Sequence, residues 1–372
     1  MTAALLNDEY YMRLALQLAG AASGQTGINP VVGCVLVKDG RIVGMGAHLK
    51  RGEAHAEVHA LNMAGAEAEG ATAYVTLEPC SHHGKTPPCS DRLIRDKVKR
   101  VVVAATDDNP LVAGSGLARL AAHGIEVTTG VLAAEARALN EAFNKYIATG
   151  RPFVTVKSAS TLDGKVAAKT GDSKWITGDA SRAQGHLLRH RHQAILVGIG
   201  TVLADDPALT TRLEVPGLNP IRVVADSTLR LPPDARLVRD GAAPVVVLTT
   251  ERAPQERRRA LEARGVRMVD CGPGPAVNLN AAMRRLGELE IGSLLVEGGG
   301  KLSGALLAAG LVDKLVLFLA PKIIGGGALA PGNFDFPGFE TMSRAIKLER
   351  LQVERCGEDV CLSGYPRYES EE

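Results

Sequence analysis

The chain has 372 residues, of which 45% are hydrophobic and 23% charged, so its length and composition are those of a globular protein with two domains. Its formal net charge of +2 and its 3% of aromatic residues argue against a nucleic-acid partner, which needs a basic field and stacking surfaces. Six cysteines are too few for a disulfide scaffold, no apolar stretch has the length of a membrane span, and no basic region opens a signal peptide, so we expect a cytoplasmic protein without a membrane partner.

The first 150 residues alternate predicted helices and strands. Lys38-Asp39-Gly40-Arg41 is typical of a hairpin turn between two strands. This alternation predicts a layered α/β domain. The predicted helices are 8–23, 55–67, 90–97, 115–123 and 133–146, and the predicted strands are 31–37, 42–46, 71–77, 100–105 and 126–129.

A second α/β pattern starts after a segment with boundary character. Residues 148–152 carry Gly and Pro between a predicted helix and a new strand, so we expect domains at 1–149 and 150–372. The predicted strands of the second half are 153–158, 194–198, 221–225, 245–249, 291–297 and 314–319. Its predicted helices are 179–191, 254–264, 278–289 and 301–309, followed by a hairpin of 346–355 with 359–364.

One histidine, one glutamate and two cysteines form the strongest chemical signal in the first half. His55 and Glu57 begin a predicted helix, Cys80 follows a predicted strand, and Cys89 begins the next helix. One His and two Cys are good ligands for tetrahedral zinc and leave a fourth position for water, whose pKa zinc lowers. Glu57 is then available to move a proton to a leaving amine, as in zinc deaminases. We therefore expect zinc on His55, Cys80 and Cys89, with Glu57 as a catalytic residue.

Two alternatives exist for this zinc site. The cysteines could be small core residues, or they could belong to a structural zinc site whose fourth ligand is His82 or His83. A structural site has no need of Glu57 as a base, which favours the catalytic interpretation. That interpretation carries one condition. Side chains two apart on a regular helix do not share a face, so His55 must lie at or before the first turn.

The second half contains two glycine runs. Gly298–Gly300 follow an apolar strand and precede a helix, where backbone N–H groups can approach a phosphate, although an ordinary tight turn has the same pattern. Ser303 stands where a third glycine of the dinucleotide fingerprint belongs, so that fingerprint is not supported. The run 325–327 is typical of a loop beside a site or of a surface turn.

Two segments of the first half carry a family resemblance. HAEVHA (55–60) and TLEPCSHHGKTPPC (76–89) resemble the cytidine-deaminase-like superfamily. More narrowly, they resemble the pyrimidine deaminase domain of the bifunctional riboflavin-biosynthesis deaminase/reductases. The generic pattern has two residues between its cysteines, whereas eight stand here, and that longer insertion is the one the riboflavin family has. The resemblance implies that the neighbourhood of Asn29, His48, Asp107 and Asn109 helps to bind the substrate. Asn29 and His48 are our candidates, although Asn29 before Pro is also a turn residue and His48 could be a solvated side chain.

Six ordered segments of the second half resemble the reductase domain of the same family, which has a dihydrofolate-reductase-like α/β fold. They are KSASTLDGKVA (157–167), GDSKWIT (171–177), LLRHRH (187–192), GIGTVLADDPALTTR (198–212), ADS (225–227) and VEGGGKLSGALL (296–307). The predicted architecture is therefore a cytidine-deaminase-like three-layer domain followed by this reductase fold. The resemblance covers nearly the whole chain.

The resemblance also implies contacts for each ligand of the second half. The implied NADPH contacts are Ala159, Trp175, Thr201, Asp205, Ser227, Gly299, Gly300, Lys301, Leu302, Ser303, Gly304 and Ala305. The implied substrate contacts are Lys157, Ser173, Arg189, Leu209, Arg212 and Glu297. The forked guanidinium groups of Arg189 and Arg212 suit a sugar phosphate. Asp205 could serve as a proton relay or as a helix or turn cap. Trp175, the only Trp, could cover a flat ring or pack in the core.

The implied substrate is a pyrimidine ribonucleotide, 2,5-diamino-6-ribosylamino-pyrimidinone 5′-phosphate. Zinc chemistry would remove its 2-amino group, and NADPH would then reduce the ribosyl side chain to ribityl. We also expect a homo-oligomer. Two other functions remain open: a nucleic-acid-editing deaminase, which the charge and aromatic content disfavour, and a non-enzymatic zinc-stabilised binding module.

Overall fold

The computed structural model describes residues 6–82, 87–107 and 113–368. The chain divides into two compact units, Met1–Gly150 and Arg151–Glu372. Both units are α/β, as the alternation of predicted helices and strands indicates. Within the described residues, every helix is too short or too polar to span a lipid bilayer.

The first unit is built on a sheet of five strands in its described part. Its strands are β1 (Gly33–Lys38), β2 (Arg41–Ala47), β3 (Thr72–Leu77), β4 (Arg100–Ala105) and β5 (Glu126–Thr129). Its helices are α1 (Asp8–Ala21), α2 (Ala56–Ala64), α3 (Cys89–Arg95), α4 (Ser115–Ala122), α5 (Ala133–Leu139) and α6 (Glu141–Thr149). The strand order is β2-β1-β3-β4-β5, with β1 antiparallel to its two neighbours and β3, β4 and β5 parallel.

Three layers follow from the strand periodicity of the first unit. Successive side chains of a strand point to opposite faces, so each buried strand serves two cores. Leu36 and Val75 pack in the core that includes α2, whereas Val35 and Tyr74 pack in the core that includes α1. Helix α1 lies so close to β1 that a Cβ on Gly33 would meet the Ala15 carbonyl oxygen. The sheet therefore lies between two helical layers, as predicted for this domain.

The second unit is built on a sheet of nine strands in its described part. Its strands are β6 (Phe153–Thr161), β7 (Ala194–Gly198), β8 (Ile221–Ala225), β9 (Val245–Thr249), β10 (Arg267–Asp270), β11 (Ser293–Glu297), β12 (Lys314–Ala320), β13 (Lys347–Cys356) and β14 (Asp359–Arg367). Its helices are α7 (Asp179–Arg191), α8 (Ile199–Asp205), α9 (Arg236–Arg239), α10 (Gln255–Glu262), α11 (Leu279–Glu288) and α12 (Gly300–Ala308).

The order of the second sheet brings the ends of distant segments together. It is β10-β9-β8-β7-β11-β6-β12-β14-β13, and the strands from β10 to β12 in this order are parallel. Strand β11 lies between β6 and β7, so three strands far apart in sequence end at one edge. In open α/β sheets, ligands bind in the crevice outside the carboxyl ends of the strands. The expected cofactor and substrate residues of this unit follow or lie on these strands.

Candidate active sites

The three expected zinc ligands of the first unit come together. The ligand atoms of His55, Cys80 and Cys89 all lie within 4.8 Å of one another. Nδ1 of His55 is 3.2 Å from Sγ of Cys89 and 3.6 Å from Sγ of Cys80. One imidazole nitrogen and two sulfur atoms form the donor set of catalytic zinc sites with three protein ligands, so these residues fit the ion.

The local backbone explains how His55 and Glu57 share one site. His55 is the N-cap of α2 and has extended backbone angles (φ −76°, ψ 166°), whereas Glu57 lies in the first turn. The condition that His55 lie at or before the first turn is therefore met. Cys89 is the first residue of α3, and its backbone N–H donates to the Cys80 sulfur at 3.3 Å.

The structural-zinc alternative requires a fourth protein ligand. Among the described residues, the metal-binding group consists of His55, Cys80 and Cys89. His82 is exposed and lines the neighbouring cavity without joining that group, and His83 lies outside the described residues. Three protein ligands and an open position are typical of a catalytic zinc site.

Glu57 has the properties of a proton carrier. It is 3% exposed, and burial raises the pKa of its carboxyl group to about 7. The hydrogen bond from the Cys89 thiol lowers the pKa of Cys80 to about 4, and His55 acts in the same direction. The site therefore pairs a thiolate donor with a carboxyl group that can take up and release a proton near neutral pH.

A cavity of about 360 Å³ is lined by Glu57 and by two of the three expected zinc ligands, His55 and Cys80. Its size is that of a small-molecule site. The residues that line it are Ile28, Asn29, Pro30, Val32, His48, Arg51, Gly52, Glu53, His55, Glu57, Leu77, Glu78, Cys80, His82, Asp107, Phe143, Tyr146 and Ile147. Asn29, His48 and Asp107 from the sequence interpretation are in this set, whereas Asn109 lies outside the described residues.

Asn29 and His48 form one hydrogen-bonded pair in the wall of the cavity. Nδ1 of His48 lies 3.2 Å from the Ala54 carbonyl oxygen, and a carbonyl only accepts, so Nδ1 carries the proton. Nε2 of His48 then accepts from the Asn29 amide nitrogen at 3.3 Å. His48 is 2% exposed, so the interpretation as a solvated side chain is wrong. The pairing directs the Asn29 amide and leaves its carbonyl oxygen available to a ligand.

Sequence reasoning missed Glu78, a buried carboxylate beside this site. It accepts backbone N–H groups from Gly114 and Gly116 at 3.0 Å, and from Asp107 and Leu117 at 3.4 Å. It therefore fastens the start of α4 and the cavity residue Asp107 to the segment that carries Cys80. In the sequence, Glu78 directly precedes Pro79-Cys80, and this closeness to a zinc ligand was the signal that could have placed it beside the site.

The second unit places an ionic cluster at the end of β11. Glu297 pairs in register with Lys157 of β6, and the two side chains approach within 3.9 Å. Arg189 donates to both oxygens of Glu297 at 2.7 and 2.9 Å, and it also donates to the Thr210 carbonyl oxygen at 2.9 Å. Burial alone would raise the pKa of Glu297, but Arg189 and Lys157 lower it to about 2. The guanidinium fork expected to hold a phosphate is thus directed at Glu297, whereas Arg212 is exposed.

His186 belongs to this cluster and was missed from the sequence. Its Nδ1 accepts the backbone N–H of Arg212 at 3.3 Å. Burial, together with the nearby Arg189 and Arg212, lowers the pKa of His186 to about 4. His186 precedes Arg189 by three residues on α7, so the two lie on one helix face. That spacing was a signal for its position.

The glycine-rich start of α12 divides into an open part and a packed part. Gly299 is the N-cap, and a Cβ built there would have no atom of the described residues within 4 Å. A Cβ on Gly300 would instead lie 2.4 Å from the Gly332 carbonyl oxygen, and one on Gly304 would lie 2.4 Å from that of Asp335. Gly299 therefore leaves room for a ligand at a helix N-terminus, which suits a phosphate group. Lys301 and Ala305 are exposed, Leu302 is half-buried, and Ser303 is buried.

Trp175 and Asp205 are both exposed residues of the second unit. Trp175 is 65% exposed and stacks beneath Arg182, so the core-packing alternative is wrong. Together with Ser173 it lines a cavity of about 300 Å³. Asp205 is the last residue of α8, and the helix cap is its neighbour Asp206. One Asp205 oxygen lies 4.0 Å from the Lys174 ammonium group.

The remaining expected cofactor and substrate contacts of the second unit lie on different elements. Ala159 lies on β6 opposite Phe318, and Leu209 is a buried residue with φ of 53°. Thr201 lies on α8, near the position that a Cβ on Gly298 would occupy. The Ser227 hydroxyl accepts the Val277 N–H at 3.1 Å. Ser227 follows β8, which is separated from the Glu297 strand β11 by β7 in the sheet. The glycine run 325–327 forms a loop in which all three residues have positive φ.

Family models match both parts of the chain. Residues 6–105 match the model described as the cytidine and deoxycytidylate deaminase zinc-binding region. Residues 152–362 match the model described as the RibD C-terminal domain, which is more than half of the chain. A deaminase-like domain is therefore followed by a reductase domain, which confirms the predicted fold class.

Curated relatives match both parts of the chain over almost their whole length. The chain is 46% identical over 360 residues to riboflavin biosynthesis protein RibD of Bacillus amyloliquefaciens, covering 97% of this chain and 96% of that protein. It is 45% identical to RibD of Escherichia coli strain K12, covering 96% and 99% of the two chains.

Solved structures of similar proteins span almost the whole chain. A crystal form of Acinetobacter baumannii RibD has a TM-score of 0.87 at 40% identity and covers 97% of this chain and 99% of that one. The Thermotoga maritima diaminohydroxyphosphoribosylaminopyrimidine deaminase/5-amino-6-(5-phosphoribosylamino)uracil reductase has a TM-score of 0.84 at 38% identity, with the same coverage.

Proposed function

Because the chain belongs to the RibD family of riboflavin biosynthesis proteins, we propose a specific role for each of its two sites. The chain is a bifunctional enzyme, a deaminase joined to a reductase, and it acts in riboflavin biosynthesis on a small pyrimidine substrate. Residues 1–149 carry the deaminase and residues 150–372 the reductase. The separate sheets and cores of the two units support this division.

The deaminase substrate is 2,5-diamino-6-ribosylamino-pyrimidinone 5′-phosphate. Water adds to C2, the bond to the 2-amino group breaks, and the products are the 2-oxo compound and ammonia. The metal is zinc, held by His55, Cys80 and Cys89, and when bound it makes water acidic enough to supply hydroxide near neutral pH. Glu57 takes the proton from the water and returns it to the departing amine.

Asn29 and His48 orient the pyrimidine in the deaminase cavity. Their mutual hydrogen bond fixes the Asn29 amide, and the Ala54 carbonyl fixes the His48 proton. A side chain held in this way loses little freedom when a ligand binds, which favours one orientation of the ring.

The reductase takes its hydride from NADPH, which supplies that chemistry when bound. The ribosyl group of the deaminated nucleotide gains the hydride and a proton and becomes ribityl. The open space beside Gly299 at the N-terminus of α12 supports the proposal that a phosphate group of the cofactor binds there. Ala159, Trp175, Thr201, Asp205, Ser227 and Gly299–Ala305 are the proposed cofactor contacts, and Asp205 is the candidate proton relay.

The substrate side of the reductase is the cluster around Glu297. Lys157 and Arg189 pair with the Glu297 carboxylate, and Arg212 lies near enough to interact with it electrostatically, so this excess of positive charge suits a phosphorylated substrate. Arg212 is the exposed cation and the proposed phosphate ligand. Arg189 orients Glu297 toward the sugar hydroxyls. Ser173 and Leu209 are the remaining proposed substrate contacts.

The observation that carries the proposal is the convergence of the His55, Cys80 and Cys89 donor atoms beside the buried Glu57. The test is incubation with the diaminopyrimidine nucleotide alone, with NADPH and with NADH, followed by the mass of the product. We expect deamination in every arm and added hydrogen with NADPH only. No loss of the amino group would overturn the deaminase assignment, and equal reduction with NADH would overturn the cofactor assignment.

Three further proposals concern the protein as a whole. All six cysteines are free, which supports a reducing cytoplasmic location. The partner is the small-molecule nucleotide, and neither nucleic acid nor a membrane is involved. The homo-oligomer stays a prediction, which light scattering at several protein concentrations would test.

A further inference from the structure

One wall of the deaminase cavity comes from outside the region that the deaminase family model matches. That match ends at residue 105, yet Phe143, Tyr146 and Ile147 of α6 line the same cavity as Glu57 and His55. Tyr146 and Ile147 follow Phe143 by three and four residues, so all three side chains occupy one face of the helix. The zinc-binding region alone therefore does not complete this cavity.

The α6 wall presents apolar surface that the unit does not bury. No α6 residue is buried among the described residues, and Ile147 is 37% exposed. Phe143 and Tyr146 are half-buried although both are large aromatic side chains. Aromatic rings in a cavity offer flat apolar contact to a heterocycle, which gains stability when the ring leaves water.

A buried asparagine joins this wall to the segment that carries Asn29. Asn140 directly precedes α6 and is 5% exposed. Its Oδ1 accepts the Val31 N–H at 2.8 Å, and its Nδ2 donates to the Val31 carbonyl oxygen at 3.0 Å. A side-chain amide carries both an acceptor and a donor, so Asn140 satisfies both backbone groups at once. Val31 follows Asn29 and Pro30 of the cavity, so this pair sets the position of α6 relative to the Asn29 segment.

We propose that α6 is the substrate wall of the deaminase site, where Phe143 and Tyr146 contact the pyrimidine ring and Asn140 is a positioning residue. The inference rests on the deaminase function proposed above and adds a binding role that the zinc motif does not contain. The wall binds the ground state and the transition state alike, because it contacts the pyrimidine through aromatic surface and is not one of the proton-transfer groups. Its loss should therefore raise KM and change kcat little.

The test uses full-length Phe143→Ala, Tyr146→Ala and Tyr146→Phe proteins, with Asn144→Ala as the matched control on the same helix. Asn144 is not among the described residues that line the cavity. We expect each Ala change at 143 or 146 to raise the deaminase KM about tenfold, with kcat within about threefold of wild type. Tyr146→Phe and Asn144→Ala should keep the wild-type KM, and zinc content should not change in any variant.

Asn140→Asp tests the positioning role. Asp has the same shape but cannot donate to the Val31 carbonyl oxygen, so the two walls lose their fixed spacing. We expect the deaminase KM to rise about as much as in Phe143→Ala and Tyr146→Ala, the ring variants. Zinc should be retained, and reduction of the deaminated nucleotide should not change. If Asn140→Asp does not fold, the ring variants decide the question.

Two results would overturn the proposal. One is an unchanged KM in both ring-to-Ala variants. The other is a fall of kcat in parallel with zinc content, which would make α6 a support of the metal site. Absence of ammonia release by the wild-type protein would instead refute the deaminase function itself, so the two failures are distinguishable.

Discussion

At the scale of single residues, the two substrate arginines of the reductase differ in what surrounds them. Both side chains of the Arg189–Glu297 pair are 14% exposed, and without Arg189 the buried carboxylate would keep the more distant Lys157 ammonium group, at 3.9 Å, as its cation. Removing one member of a buried pair costs about 3–5 kcal/mol. Arg212 is exposed, and its guanidinium makes long contacts of 3.4 and 3.5 Å to Thr210.

We therefore predict that Arg189→Ala lowers the stability of the second unit as well as its activity. Arg212→Ala should keep the stability and raise the KM for the phosphorylated substrate, while the affinity for NADPH stays the same. Chemical unfolding and substrate kinetics separate the two effects. Equal destabilisation by both changes would contradict the difference in their surroundings.

His186 gives the second unit a pH-dependent stability. The folded pKa lies near 4, whereas an imidazole in the unfolded chain titrates near about 6.5. Between these values the unfolded chain binds more protons, so stability falls as the pH drops from about 6.5 towards 4. Above about 6.5 both states are neutral and the contribution of His186 is constant. Lys157, Arg189, Arg212 and Glu297 are the charged groups around it.

His186→Asn should reduce this pH dependence. Asn cannot be protonated in this range, and its carbonyl oxygen can still accept the Arg212 N–H. We expect the stability of the variant to change less than that of wild type between pH 6.5 and 4.5. The measurement is urea unfolding at several pH values, followed by Trp175 fluorescence, which reports on the second unit because Trp175 is the only tryptophan. Identical pH profiles would contradict the assignment.

At the scale of secondary-structure elements, α12 shows that neighbouring glycines have different reasons to be there. A Cβ on Gly304 would overlap the backbone of Asp335, which cannot move as a flexible side chain can. Gly299 has open space and ordinary backbone angles (φ −67°, ψ 162°), so Ala fits there without strain.

We predict that Gly304→Ala destabilises the second unit by about 1–3 kcal/mol, the usual cost of overpacking. Gly299→Ala is the matched control and should unfold at the wild-type urea concentration. Trp175 fluorescence again isolates the second unit. A normal unfolding midpoint for Gly304→Ala would show that the 332–335 segment yields easily.

The elements that sequence reasoning predicted are those with strong local signals. β4, β5, β7, β8 and β9 were located to the residue, because apolar runs between turn residues mark them clearly. The hairpin at 38–41 was confirmed, with positive φ at Asp39 and Gly40. The missed elements are short, namely α8, α9 and β10, and the tertiary structure stabilises them.

Two further differences have tertiary causes. The predicted helix 133–146 divides at Asn140, where the amide binds Val31 of a distant segment. Residues 31 and 32 precede β1 without belonging to it. Neither the division at Asn140 nor the position of Val31 has a local pattern, because the two residues are bonded to each other across 109 positions of the chain.

The candidate sites were predictable where residue type alone limits the chemistry. Few side chains bind zinc, so a His and two Cys with a nearby Glu could be identified before their distances were known. Glu78 and His186 had only weak signals, namely their places beside Cys80 and Arg189, and Phe143 had none, because carboxylate, imidazole and phenyl groups occur in many ordinary positions. Their roles depend on which segments the fold brings beside them.

At the scale of the whole molecule, the two activities should be separable. Each unit has its own sheet and its own hydrophobic cores. His55, Glu57, Cys80 and Cys89 lie in the first unit, and the Glu297 cluster and the α12 glycines lie in the second. No residue proposed for one reaction comes from the unit that holds the other site.

We therefore predict that Glu57→Gln abolishes deamination, keeps zinc bound, and leaves reduction of the already deaminated nucleotide nearly intact. The change preserves shape and removes only the group that accepts the proton. Gly299→Val should do the reverse, because a branched side chain would fill the open space at the start of α12 and obstruct only the cofactor. Each variant is assayed with the substrate of each step, beside its zinc content. If Glu57→Gln stops reduction of the deaminated compound, the two sites are coupled. The chain would then not consist of two independent catalysts.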